Sequence, residues 1–222
     1  MSEKITKRIR KKAGRPVEGQ FENSKQRIMN AFLQICYEEG VASCTLQKVA
    51  DKSGVAFATV RYHFNLQGHS LSLDALDYGS EVTYRWIDKG MLTARTEANF
   101  DPVLSYINVM FDWVHAEPVQ ASYLIYFYYL STTKVQLPTQ NDDLILIAQR
   151  RIQSLIHEGL GMKKYIFDGD VNFLSQQIHT MVMGGCVIAL TTKNVDFFQQ
   201  QKNVCLRLAS LLLTTNFKGS QS

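Results

Sequence analysis

Ile28, Ala31, Phe32, Ile35 and Cys36 fall at i, i+3, i+4, i+7 and i+8, the spacing that gives an α-helix one buried face. The pattern predicts a helix from Asn23 that ends at Gly40, a residue suited to a helix C-terminus. Thr45 then offers a hydroxyl to the free N–H groups of the next three residues and predicts a short helix, which Ser53-Gly54 breaks. A second short helix is expected over residues 56–63 and a loop over 65–68. A longer helix follows over 70–89, with Leu73, Leu76, Asp77, Ser80 and Tyr84 along one stripe.

The second half reads as helix after helix. Asp101-Pro102 and Glu117-Pro118 each place an acceptor before a first-turn proline, opening helices over 101–115 and 117–131. Residues 134–140, with Pro138, read as a loop. Asn141-Asp142-Asp143 starts a helix ending near Gly159. After Asp168-Gly169-Asp170 a long apolar helix runs to Thr192, and a last one covers about 196–215. This is an all-α chain. It divides into an arm over 1–22, a three-helix unit over 23–69 and a helical domain of six helices over 70–222.

Composition sharpens that picture in one respect. The 222 residues are 45% hydrophobic and 20% charged, ordinary for a globular chain, and 4 Pro with 13 Gly are few for an all-β fold. The net charge of +4, however, is unevenly placed. Residues 1–25 hold eight Lys/Arg against three acids, a balance of +5, which leaves the rest at −1. A disordered basic arm of this kind suits a polyanion, nucleic acid first and a membrane surface second. Cys36, Cys44, Cys186 and Cys205 have no metal-ligand spacing, and the default reading of Cys36, Cys186 and Cys205 is of small buried hydrophobes. The charged opening residues are unlike a signal peptide, and no run approaches the ~18 apolar residues of a membrane span. A cytoplasmic protein without membrane, metal or cofactor is the expectation.

The stretch LQKVADKSGVAFATVRYHF, residues 46–64, carries the chemistry. Two helices crossing at a wide angle need a small residue at their contact, which Ala50 supplies. Four residues on they need one tolerant of positive φ, which Gly54 supplies. Val49, Val55 and Val60 provide the apolar contacts, leaving the outer face of the second helix free to enter a major groove about 12 Å wide.

With Arg27-Ile28, Glu39-Gly40, Thr45, Val49-Ala50, Gly54-Val55, Thr59 and Tyr62-His63-Phe64, residues 27–71 resemble the DNA-binding domain of the TetR family of transcription regulators. The resemblance implies a homodimer, a double-stranded operator with two half-sites, and a small effector that releases the protein from DNA. The chain departs from the family where Phe57, Ala58 and Arg61 stand in place of a polar residue, a glycine and a tyrosine. Gln67 replaces a lysine at the start of the fourth helix. The expected function is a repressor; the alternative is an activator or a ligand-independent regulator of the same fold.

Lys48, Thr59 and Tyr62 are the expected phosphate contacts, Thr45 belongs to the same DNA-binding set, and Arg61 is the candidate for reading guanine bidentately. Phe57 and Ala58 are expected to press on thymine methyls, unless Phe57 packs on the first helix as a core aromatic. His63 either donates to phosphate or caps its helix. In the arm, Gly14-Arg15-Pro16 resembles the core of an AT-hook, which would lay Arg15 into a narrow minor groove; the alternative is a solvated tail raising nonspecific affinity.

Residues 101–131 are dense in aromatics, and Tyr126, Phe127, Tyr128 and Tyr129 occupy every face of one helix, so they cannot all serve one core. An effector pocket is expected from Tyr106, Met110, Trp113, Tyr123, Phe127, His179 and Met183, for an apolar or aromatic ligand. Small residues around Gly184-Gly185 and the apolar Phe197, Phe198, Val204, Leu208, Leu211 and Leu212 point to the last two helices as the dimer interface. An enzyme is disfavoured: His115, His157 and His179 form no catalytic or metal pattern, with no HExxH and no GxSxG. A membrane-peripheral protein is disfavoured too, since the arm has few apolar residues beyond Ile5 and Ile9.

Overall fold

The computed structural model describes residues 18–64, 71–133, 138–192 and 194–214. Among them are nine α-helices: α1 (Glu18–Glu39), α2 (Leu46–Ser53), α3 (Phe57–Phe64), α4 (Leu71–Ala94), α5 (Pro102–Ala116), α6 (Pro118–Thr133), α7 (Pro138–Gly161), α8 (Val171–Thr191) and α9 (Val195–Thr214). A single 3-10 turn, Val41–Ser43, joins α1 to α2. Arg15, Gln67 and the loop around Gln67 lie outside the described residues.

Three boundaries differ from the sequence reading, each for a local reason. Helix α1 begins at Glu18 rather than Asn23, so the arm is shorter; Gly19 costs such a helix only about 1 kcal/mol and does not stop it. Helix α4 runs past Lys89 to Ala94 because Gly90 is a contact glycine and not a terminator. A Cβ there would stand 2.8 Å from Val109 Cγ1, so its absence lets α5 close on α4. Helix α7 starts on Pro138, placed at the first turn where a missing N–H costs nothing, not in a loop.

The caps explain the remaining starts. The Asp101 carboxylate accepts from Leu104 N–H at 2.9 Å and from the Tyr165 hydroxyl at 2.6 Å, pinning the start of α5 to the segment after α7. Asp170 accepts from Asn172 N–H at 2.8 Å to open α8. Asn194 caps α9, accepting from Asp196 and Phe197 N–H.

Two apolar clusters hold the chain, and their membership does not follow the expected boundary at residue 69. The larger joins α5, α7, α8, α9 and the second half of α4 around Val103, Ile107, Phe111, Ile152, Ile156, Leu174 and Ile178. The smaller is the core of the N-terminal helices, built on Ile28, Leu33, Ile35, Val49 and Val60. It also takes Ala75 and Leu76 from α4, and Tyr123 and Phe127 from α6. The Tyr123 ring meets Phe32 edge-on at 5.6 Å, and its hydroxyl donates to the Ser72 carbonyl at 2.8 Å.

Helix α8 corrects one expectation. By length and composition it is apolar enough to cross a membrane. Its residues Leu174, Ile178, Val182, Cys186 and Ala189 recur at three- and four-residue steps and are buried in the larger cluster, which accounts for that composition.

At the α2–α3 turn Gly54 adopts φ 63°, ψ 28°, and a Cβ would lie 2.8 Å from Arg27 Nη2, which donates to the Ser53 carbonyl. Gly54→Ala is therefore expected to destabilise the protein by about 1–2 kcal/mol, seen as a lower urea midpoint at unchanged slope. An unchanged midpoint would contradict this account of the turn.

Candidate nucleic-acid interface

The turn between α2 and α3 is fastened on both sides. Thr45 is extended, and its Oγ1 accepts from Lys48 N–H at 3.2 Å, giving α2 its cap. Gly54 N–H closes the other end onto the Ala50 and Asp51 carbonyls. Ala50, Val49 and Val60 are buried where the helices meet. Arg27, reaching from α1 to the Ser53 carbonyl, ties the turn to the first helix.

This anchoring divides α3 cleanly. Val60 and Phe64 face the core, and Thr59 and His63 are half-buried. Phe57, Ala58, Arg61 and Tyr62, at i, i+1, i+4 and i+5, form the outward face. Phe57 is 41% exposed and Tyr62 46%, so Phe57 is not a core aromatic packed on the first helix. An arginine fork flanked by two exposed rings, at the width of one helix, can reach base edges and thymine methyls in a major groove.

Lys48 and Lys52 lie beside this face on α2 and are each held by a carboxylate of α1, Lys48 by Glu39 and Lys52 by Glu38, both at 2.5 Å. Lys52 and Gln34 hydrogen-bond Glu38 and hold its carboxyl below the usual range. Any phosphate approaching these lysines competes with a carboxylate already in place. His63 sits near Lys25 and Asp74; burial first, and then the Lys25 cation, push its pKa below the ordinary histidine value. It is a neutral donor at pH 7, not a fixed cation.

In the helical domain, Tyr106, Met110, His179 and Met183 come together around a cavity of about 50 Å³, with Ser80 and Tyr84 from α4 and Tyr128 from α6. No Asp, Glu, Lys or Arg lines it among the described residues. The Ser80 hydroxyl is buried without a hydrogen-bond partner. Burial pushes the Tyr128 hydroxyl up to about 12 and holds His179 neutral by lowering its pKa. Trp113, Tyr123 and Phe127 are placed elsewhere. Trp113 is buried in the larger core, and Tyr123 and Phe127 face α1. The reason is rotational: on α6 the residues one step on, Leu124 and Tyr128, turn by about 100° to reach the cavity. A larger open groove of about 560 Å³ lies between α4, α5 and α9, with the Asp112–Lys202 ion pair on its wall.

Known proteins share both the sequence and the shape. The chain is 30% identical over 172 residues to the HTH-type transcriptional regulator SrpR of Pseudomonas putida, covering 67% of this chain and 81% of that protein. The chain belongs to the TetR family of transcriptional regulators. A TetR-family regulator from Cytophaga hutchinsonii superposes with a TM-score of 0.71 at 14% identity, over 88% of this chain and 98% of that one. A transcriptional regulator from Saccharomonospora viridis, solved in complex with choline, superposes with a TM-score of 0.69 at 16% identity, over 84% and 95% of the two chains. No family model matches the chain.

As a TetR-family protein the chain is a DNA-binding transcriptional regulator and not an enzyme. Two features of its DNA-binding unit escape a reading by motif. The Arg27 clamp joins residues 26 positions apart, which no local pattern encodes. The pairing of Glu38-Glu39 with Lys48 and Lys52 does have a signal: adjacent acids, then lysines at i and i+4 on the next helix.

Because His63 and His179 are both held below the ordinary histidine pKa of about 6.5, the unfolded chain takes up their protons first. Their stabilisation is complete above pH 6.5 and is eroded as pH falls through that value. The urea midpoint should therefore be lower at pH 5.5 than at pH 7.5, and His179→Leu should narrow the difference. An equal difference in the variant would contradict the assignment to His179.

Proposed function

We propose that this regulator is a cytoplasmic homodimeric repressor that reads a palindromic operator with α3 and leaves it when a small apolar or aromatic effector enters the helical domain. The observation that carries the reading is the outward face of α3, where Arg61 stands between exposed Phe57 and Tyr62. Arg61 reads a base, Phe57 and Ala58 meet thymine methyls, and Thr45, Lys48, Thr59, Tyr62 and His63 contact the phosphates. Arg15, in the basic arm, adds a minor-groove contact.

Dimerisation is supported by apolar side chains left exposed on the last two helices. Phe173 and Ile188 on α8, and Val204, Leu208 and Leu211 on α9, are each 43–57% exposed, more than a lone subunit would leave uncovered on one side. Pairing α8 and α9 with their copies buries this surface in a four-helix bundle and sets two α3 helices about a two-fold axis.

The effector reading rests on the cavity's chemistry. Its walls are apolar with isolated hydroxyls, which favours an uncharged or aromatic ligand over an ion. At about 50 Å³ it is far below the roughly 300–1,000 Å³ of a pocket that holds a drug-sized ligand. An effector must therefore widen it, and Ser80 and Tyr84 of α4 are among the side chains that line it. That a related fold holds choline is in keeping with a small-molecule site.

The test is selection of bound duplexes from a random DNA pool at near-physiological salt. A palindrome should emerge whose half-site centres lie about one helical turn, or a multiple, apart. Failure to enrich any sequence would sink the reading. Arg61→Ala should relax selection at one position per half-site, at a cost of about 1–3 kcal/mol; a uniform loss across all sequences would make Arg61 a phosphate contact instead.

A further inference from the structure

Two ion pairs bridge α4 and α7. Asp88 meets Arg151 at 2.9 Å, and seven residues on in each segment Arg95, just past α4, forks onto the Glu158 carboxylate. Equal steps in the same sense mean that the two helices run side by side in one direction. Along α4, Tyr84, Asp88 and Met91 recur at four- and three-residue steps, as do Leu144, Ala148, Arg151 and Leu155 along α7. Tyr84, Leu144 and Ala148 line the closed cavity. Further along the same two stripes, Asp88, Met91, Arg151 and Leu155 line an open groove of about 460 Å³. Cavity and groove are therefore successive parts of one cleft between α4 and α7.

The two parts differ in charge. No charged side chain lines the cavity among the described residues, whereas the groove holds Arg95 and Arg151 against Asp88. Arg95 is fully engaged, forked onto Glu158 and stacked 5.1 Å from the centre of the Phe100 ring. Arg151 is held more lightly. Its ion-pair partner among the described residues is Asp88, whose side chain is 61% exposed, and exposed pairs of this kind bind weakly. A guanidinium offers five N–H donors in a fork that fits a carboxylate, so this one contact leaves donors to spare. Ser154, exposed and one turn along, adds a hydroxyl beside it in the groove. The Arg151 guanidinium stands 5.5 Å from the centre of the Tyr84 ring, and that ring also lines the cavity. Burial pushes the Tyr84 and Tyr106 hydroxyls up, and the Arg151 cation opposes it at both, so its charge is felt inside the cavity.

We propose that cavity and groove form one site for a hydrophobic monocarboxylate, an arylalkanoic acid in chemical class. Its carboxylate takes the place of Asp88 on Arg151, and its apolar body passes the Tyr84 ring into the cavity. As the class of an effector it rests on the reading above that the helical domain takes a small molecule. The division of the cleft suits such a ligand. The cavity alone is too small for the body and has no charge to hold the head. The groove, within the roughly 300–1,000 Å³ of ligand pockets, supplies both room and cation. A neutral ligand of the same shape leaves Arg151 on Asp88, and a cationic one meets Arg151 as a like charge.

The test titrates the full chain without DNA, by isothermal calorimetry at neutral pH, with phenylbutyrate, phenylbutanamide and phenylbutylamine. The acid should bind about tenfold tighter than the amide, the factor for one charged, hydrogen-bonded pair of ~1.4 kcal/mol, and the amine more weakly than either. Arg151→Gln should bring the acid down to the amide and leave the amide unchanged. Asp88→Asn, which frees the fork, should strengthen the acid about threefold and again leave the amide unchanged. A purely structural ion pair would instead weaken both ligands in both variants. Ala148→Leu, which narrows the cavity, should weaken acid and amide alike. Equal affinity for acid and amide, an advantage that survives Arg151→Gln, an acid indifferent to Ala148→Leu, or no binding of the acid at millimolar concentration would each overturn the proposal. Release of a duplex recovered by the selection above decides the effector reading separately. An acid that binds as described but leaves the duplex bound sinks that reading and keeps the site. An amide that binds as well as the acid and releases the duplex keeps that reading and sinks the carboxylate class.

Discussion

Helix α4 is packed into two cores at once. Ala75 and Leu76 near its start are buried with α1, α2 and α3, whereas Ile87, Met91 and Ala94 near its end are buried with α5. Between them Ser80, Thr83 and Tyr84 line the cavity. At 24 residues the helix spans about 36 Å, and nothing in its interior breaks it, since Gly90 serves contact with Val109. One uninterrupted helix therefore carries both the cavity lining and side chains of the DNA-binding unit's core.

Helix α6 makes the second connection between the two cores. Tyr123 and Phe127 complete the core under α1, while Leu124 and Tyr128 reach the cavity. The Tyr123 hydroxyl bonds the Ser72 carbonyl, and Lys25 pairs with Asp74 at 3.6 Å, so α1, α4 and α6 are cross-tied at one level. The apolar contacts carry most of the energy; exposed pairs such as Lys48–Glu39 contribute about 0–1 kcal/mol and matter more for what they present to DNA. A unit of α1 to α3 alone would lose Ala75, Leu76, Tyr123 and Phe127 from its core, which small domains tolerate poorly.

Where local chemistry decides, the sequence was readable. Thr45, Gly54, Asp101 and Asp170 act through their own backbone neighbours, so caps and turns, and with them the helix order and the α2–α3 pair, could be read directly. The outward set on α3 followed from periodicity once the buried Val60 was known. What was not legible depends on which of two neighbours a helix face meets. Helix α6 is apolar all round, so periodicity cannot say that Tyr123 and Phe127 turn to one core while Tyr128 turns to the cavity. Gly90 looks like any other glycine until Val109 is set against it, and the Arg27 clamp exists only once the reversal after α1 has formed.

The DNA-binding unit draws its core from α4 and α6 as well as from its own three helices, and should not stand free of them. A fragment of residues 1–69, which ends before α4, tests it most directly by far-UV circular dichroism and urea titration. The account predicts low helicity and no cooperative transition in the fragment, where the full chain shows both. A sharp, two-state unfolding transition in the fragment would contradict it.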